Sequence, residues 1–196
     1  MKTPIGNNPS AGIAFAAAAS FRNTALLVVD RLPRTVGEPP SVSVGDIIAA
    51  ATNLSLAVEL LLKTLAIVDR TKLEKQHRLL VLFRALQEST RKQLRSAYDA
   101  RIKQLPPDLV VSMEVGITPT MNPPPDAHRA ARSDTLDDLL EAEADAFVTW
   151  RYLYEQSDSL RPVTMSIELR RLDCAAQAVA DVLVSRGVIR PILKTA

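Results

Sequence analysis

At 196 residues and a formal net charge of +2, the chain has the length for one domain with a sizeable core and too little net charge to coat a nucleic acid. Hydrophobic residues make up 47% but aromatics only 4%, so Leu, Val, Ile and Ala must fill that core, a composition that leans helical. One cysteine, Cys174, excludes an intramolecular disulfide and fits a reducing, cytoplasmic compartment; with only two histidines beside it, no ordinary zinc site is implied.

Residues 1–10 hold two prolines and two asparagines and read as a flexible arm ahead of a single domain, 11–196. Lys2 followed by AGIAFAAAAS has the outline of a signal peptide, but the apolar pattern runs on to Val29 and reads better as a first helix, Ala11 to Arg31, stopped at Pro33. Ile13, Phe15 and Leu26 to Val29 are its candidates for burial. Pro33, Gly37, Pro39 and Pro40 make the next stretch a connection.

Ser43 and Asp46 then stand at capping-box spacing before an apolar run from Ile47 to Asp69. At helical spacing this run is apolar on nearly all sides, as befits a helix in the middle of a bundle. Its exceptions, Ser55, Glu59 and Lys63, recur every four residues and form one polar seam. Because Glu59 and Lys63 interrupt it, no membrane span is expected.

A third helix is predicted from His77 to about Lys103, with Leu79, Leu82, Phe83, Leu86, Leu94 and Ala97 as its core face. Arg84, Glu88, Arg91 and Arg95 fall within roughly 60° on a wheel turning ~100° per residue, so Arg84, Arg91 and Arg95 make a candidate anion- or RNA-binding face. Pro106 and Pro107 end the helix; VVSMEV has the composition of a short extended piece, yet Pro119 and Pro123 to Pro125 argue that 105–132 is a long irregular and mobile Pro-rich insertion.

Thr135 and Asp138 open a fourth helix through Gln156, on which Leu140, Ala144, Phe147, Arg151 and Tyr154 share a face. Arg151 among apolar neighbours needs a carboxylate; Glu155 is the nearest in sequence and Glu59 the one expected in space. Trp150 and Tyr152, on the other side, suit a dimer contact. A last helix, Thr164 to Arg186, has near-heptad apolar spacing from Met165 and closes at Gly187. Five helices with polar or Pro-rich joints predict an all-α up-and-down bundle.

Charge is segregated along the chain. Arg70 to Lys103 holds ten Lys/Arg against three Asp/Glu, and Ser133 to Asp158 one Arg against eight acids. Opposed segments either pack on each other, within one molecule or between two, or leave one free to face an anionic partner; the plain alternative is two solvated faces. No phosphate loop, nucleophile elbow or metal-ligand spacing is present, so no cofactor or metal is expected.

NLSLAVELLLK (Asn53 to Lys63), HRLLVLFRAL (His77 to Leu86) and FVTWRYLYE (Phe147 to Glu155) together resemble the HEPN superfamily of small helical-bundle proteins, in its non-catalytic bacterial branches. The resemblance implies a bundle of four or more helices, usually dimeric, with roles in RNA binding or cleavage, toxin-antitoxin pairs and phage defence. It implies a polar cluster of Glu59, Lys63, Arg151 and Glu155 between packed helices. The ribonucleases of the superfamily carry an Arg and a His four to six residues apart on a late helix; here Arg151 has no His in range. Arg70 and His77 match the spacing formally, in a different place. The expectation is therefore a dimeric module that binds protein or RNA without catalysis, with a displaced Arg70/His77 metal-independent ribonuclease as the alternative.

Overall fold

The computed structural model describes residues 9–33, 41–71, 77–106, 113–117, 135–143 and 163–188. Among them are six helices: α1 (Pro9–Val29), α2 (Val44–Val68), α3 (Leu79–Ala85), α4 (Glu88–Ile102), α5 (Leu136–Ala142) and α6 (Leu169–Ser185). The fold is an all-α bundle. Its β structure, among the described residues, is one ribbon of β1 (Met113–Ile117) and β2 (Val163–Ile167), antiparallel with Val115 opposite Met165.

α2 is the central rod. Ser43 caps it in both directions: its Oγ accepts from the Asp46 N–H at 3.1 Å, and its own N–H donates to Asp46 Oδ2 at 3.0 Å. Twenty-five residues give a rod of about 37 Å. Leu54, Leu62 and Leu65 are fully buried, each contributing roughly 1.5–3 kcal/mol by leaving water. α2 packs on α1, α3 and α6, while α4 lies across α6 and α5 against α3.

The approach of α1 to α2 is set by small residues. Ala11, Ala18 and Ala25 recur at heptad spacing, are buried, and lead into buried Val29 and Leu32. Without side chains beyond Cβ they let the two backbones come close. By length and composition alone Ser10–Val29 and Val44–Val68 are each apolar enough to cross a membrane, which the interruption at Glu59 and Lys63 does not prevent. For α2 burial in the bundle core accounts for that apolarity, whereas α1 is mostly uncovered.

The four long helices, α1, α2, α4 and α6, alternate in direction. Arg22 and the Leu32 carbonyl, in order along α1 and its exit, meet Asp173 and Arg170 in reverse order on α6. The α2 end at Asp69 meets both the start of α4 at Thr90 and the end of α6 at Arg186. The chain thus runs up and down as the joints predicted.

Three predicted elements are corrected. The third helix is two, broken at Leu86 and Gln87, whose ψ angles of 157° and 147° are extended. The break has a cause: the Gln87 amide N–H and the Thr90 hydroxyl donate to Asp69 Oδ2, at 3.4 and 2.7 Å, so a carboxylate from the end of α2 takes the place of another helical turn. The last helix starts at Leu169, not Thr164, because Val163–Ile167, rich in β-branched residues, pairs as β2. Within the Pro-rich insertion, expected to be irregular, Met113–Ile117 is its partner strand, overlapping the extended alternative VVSMEV.

Both helix caps predicted from spacing are present. Thr135 and Asp138 form the second capping box. Gly187, at φ +65°, follows α6 in a Schellman turn, with the Val188 N–H on the Leu183 carbonyl at 3.0 Å and the Gly187 N–H on that of Val184 at 2.9 Å.

Candidate functional site: a buried glutamate shared by a lysine and an exposed histidine

The polar seam of α2 carries a compact cluster. Glu59 is 3% exposed, and its Oε1 accepts from Lys63 Nζ at 2.6 Å, one helical turn on. His77, leading into α3, brings Nδ1 to the same oxygen at 3.0 Å while its side chain stays 64% exposed. The other carboxylate oxygen, Oε2, is buried with no hydrogen-bond partner among the described residues, as is Ser55 Oγ one turn earlier. A carboxylate on Nδ1 fixes the ring and favours the Nδ1–H tautomer, which makes Nε2 the basic nitrogen. That is half of a catalytic arrangement; a phosphate-engaging cation beside the ring would be the other half.

Arg70, the residue that the displaced-pair alternative requires, is placed differently. It sits beyond the end of α2, eleven residues past Glu59 and so roughly 15 Å along the axis. Its φ is +54°, the left-handed region. It closes α2 as Gly187 closes α6: the Arg70 N–H donates to the Ile67 carbonyl at 3.2 Å, and the Thr71 N–H to that of Ala66 at 2.9 Å. An L-residue there costs about 1–2 kcal/mol, partly offset by the lower chain entropy of a non-glycine. Arg70→Gly is therefore expected to raise stability by about 0.5–1 kcal/mol, read as a higher urea midpoint with an unchanged slope.

Arg151 and Glu155 of the predicted polar cluster, with Trp150 and Tyr152, lie outside the described residues.

The predicted basic face is largely spent inside the fold. Arg95 forks onto Asp137, Nε to Oδ2 at 2.7 Å and Nη2 to Oδ1 at 2.8 Å, and its guanidinium lies 5.1 Å over the Phe83 ring. Arg91 stands 3.9 Å from Glu88, and Lys92 3.2 Å from it. Arg84 is exposed but belongs to α3, beyond the break, so it does not share the α4 wheel. The +7 and −7 segments thus meet through Arg95 and Asp137 within one molecule.

The Arg95 hydrogen bond holds the Asp137 carboxyl below the ordinary range, and hydrogen bonds from Ser43 do the same for Asp46. Groups depressed on folding stabilise above their unfolded pKa of about 3.9 and lose that contribution as pH falls through the folded value. The urea midpoint is expected to start falling below about pH 4, and Asp137→Asn to soften the fall. For this half-exposed pair the effect is under about 1 kcal/mol.

Two polar assemblies had no signal in spacing or motif. In one, Asp69 joins three helix ends. Arg186 Nη1 donates to its Oδ1 at 2.7 Å, and Arg186 Nη2 reaches Thr90 Oγ1 at 2.7 Å and Gln93 Oε1 at 2.8 Å. In the other, Asp173 accepts from Arg22 Nε at 2.5 Å and Gln177 Nε2 at 2.6 Å; Gln177 in turn accepts from Arg101, which also forks onto Asp181. Between α4 and α6 lie buried Tyr98, Cys174 and Arg171, the last 3.2 Å from Glu168. Burial pushes the Cys174 thiol up to about 11 and the Tyr98 phenol well above its ordinary value, so neither ionises near neutrality. Among the described residues no group of His, Cys, Asp and Glu is arranged to hold a metal.

Fold and side chains define the class: among the described residues, an all-α bundle tied by cross-helix ion pairs, with an exposed His77 bonded to the buried Glu59 of its central helix. Comparison with family models, curated proteins and solved structures returned no match to this chain.

Proposed function

We propose that this chain is a non-catalytic, HEPN-like interaction module that works as a dimer in the cytoplasm and recognises protein, in the manner of the superfamily's toxin-antitoxin and phage-defence members. The observation that carries it is the contrast between two surfaces. Of the three arginines that would serve RNA, Arg95 is engaged by Asp137 and Arg91 stands 3.9 Å from Glu88, which leaves Arg84 exposed on the neighbouring helix; Arg101, further along α4, is engaged by Asp181. The outward side of α1, by contrast, presents Ile13 and Leu27, 71% and 70% exposed, and no formal charge. Nonspecific RNA binding needs several uncommitted cations against phosphate. A neutral, partly apolar helix face suits protein contact instead.

Catalysis by Arg70 and His77 is not part of this reading, because the two are held at separate places along α2. The test is binding of purified protein to structured and single-stranded RNA between about 50 and about 200 mM salt. Weak, non-saturating binding throughout is expected. Tight binding at low salt that collapses steeply at high salt would instead make RNA the partner.

A further inference from the structure

We propose that His77 is a phosphoryl-acceptor site: its Nε2 takes a phosphoryl group from a phosphoramidate donor, with Glu59 as the positioning residue and Lys63 as the neighbouring cation. The inference goes beyond the functional reading above and is compatible with it, because a single stoichiometric transfer onto the chain needs no turnover.

Three observations make the ring a nucleophile. It is held yet open, with Nδ1 at 3.0 Å from Glu59 Oε1 and the side chain 64% exposed. The carboxylate that holds it is 3% exposed, so it cannot swing out and trade the ring for water. A histidine that donates its Nδ1–H to a fixed carboxylate carries its lone pair on Nε2. Third, Glu59 Oε2 has no hydrogen-bond partner among the described residues. A buried carboxylate left in that condition is unfavourable in the resting protein and gains most when the ring beside it turns positive, which is what attack by Nε2 brings about.

Charge selects the group that is transferred. Lys63 Nζ donates to the same Oε1 at 2.6 Å, which sets an ammonium close to the ring, and its side chain is 26% exposed. Arg78, next in sequence to His77, is exposed as well. Cations of this kind favour the approach of an anionic donor and give a neutral acyl donor no advantage. Transfer to the ring also asks for less than RNA cleavage does. The imidazole is itself the acceptor, so the distant Arg70 is not required.

The step balances. Phosphoramidate reacts as its zwitterion, with the nitrogen already protonated. The Nε2 lone pair forms the new N–P bond as the donor's own P–N bond breaks, and ammonia leaves with that electron pair. The Nδ1 proton stays on the ring, whose new positive charge faces Glu59. The product carries about two negative charges beside Lys63 and Arg78, which changes the surface that a protein partner meets.

The experiment incubates the full chain with potassium phosphoramidate near neutral pH and follows the intact mass, with the residue mapped by peptide fragmentation and the ring nitrogen identified by phosphorus NMR. One acid-labile phosphoryl group is expected on His77 Nε2, forming about tenfold or more faster in the folded chain than in urea. His77→Gln should abolish it, and His128→Gln, at the chain's other histidine, should leave it unchanged. Glu59→Gln should slow the reaction about tenfold, since it keeps an acceptor and loses the charge. Glu59→Leu should move the phosphoryl group to Nδ1, because a ring without the carboxylate holds its proton on Nε2 instead; a merely structural role for Glu59 would not change the nitrogen. Helical content and thermal midpoint show that each variant compared is folded. The inference is overturned if no phosphoryl group appears on His77, if His77 reacts no faster folded than unfolded, if the wild-type product is on Nδ1, or if folded Glu59→Gln reacts as fast as wild type.

Discussion

Asp69→Ala is expected to cost about 3 kcal/mol of folding stability, the largest loss for any single polar side chain among the described residues. The Asp69 carboxylate, at the end of α2, is 5% exposed and receives donors from two other helix ends: Gln87 and Thr90 at the start of α4, and Arg186 at the end of α6. Its removal leaves the Arg186 guanidinium without its counter-ion and α4 without the group that replaces an N-cap. Asp69→Asn keeps an acceptor for Thr90 but loses the charge, so about half the loss is expected. Urea unfolding measures both. A loss under about 1 kcal/mol in the alanine variant would mean that α4 and α6 are held by apolar packing alone.

Ala18→Leu is expected to cost about 2–3 kcal/mol, by overpacking rather than by a lost contact. Ala18 and Ala25 have no exposed surface, and their small size is what lets α1 lie close on α2. Three added carbons must push the helices apart or force a strained rotamer. Ala16→Leu, two residues away on the exposed side, should stay within about 0.5 kcal/mol. Equal losses at both positions would refute the assignment of inner and outer faces.

Local chemistry made much of this molecule legible. The central helix could be read because its apolar run is long and both its capping box and its seam depend on neighbours three or four residues away. Gly187 announced the end of α6 for the same reason, glycine being the residue that takes a positive φ without strain. The break at Leu86 and Gln87 was invisible because nothing local interrupts the pattern from Leu79 to Ala97. The cap is Asp69, eighteen residues before Gln87, and only tertiary structure brings it there. Arg70 concealed its turn by occupying a position where a glycine would have advertised it.

The site was legible in part. Glu59 and Lys63 were singled out by their spacing, and the structure joins them at 2.6 Å. That His77 meets the Glu59 carboxylate was not legible, because it required the chain to fold back across the link after α2. The basic face failed as a reading because a helical wheel counts charges on one helix and cannot see Asp137 arriving from another.

The central claim, that this bundle recognises protein and does not act on RNA, is tested most directly by incubating the purified full chain with total and transfer RNA without added metal and following fragment ends. The account predicts intact RNA from wild type and from His77→Ala alike. Fragmentation by wild type that disappears in both His77→Ala and Arg70→Ala would contradict it.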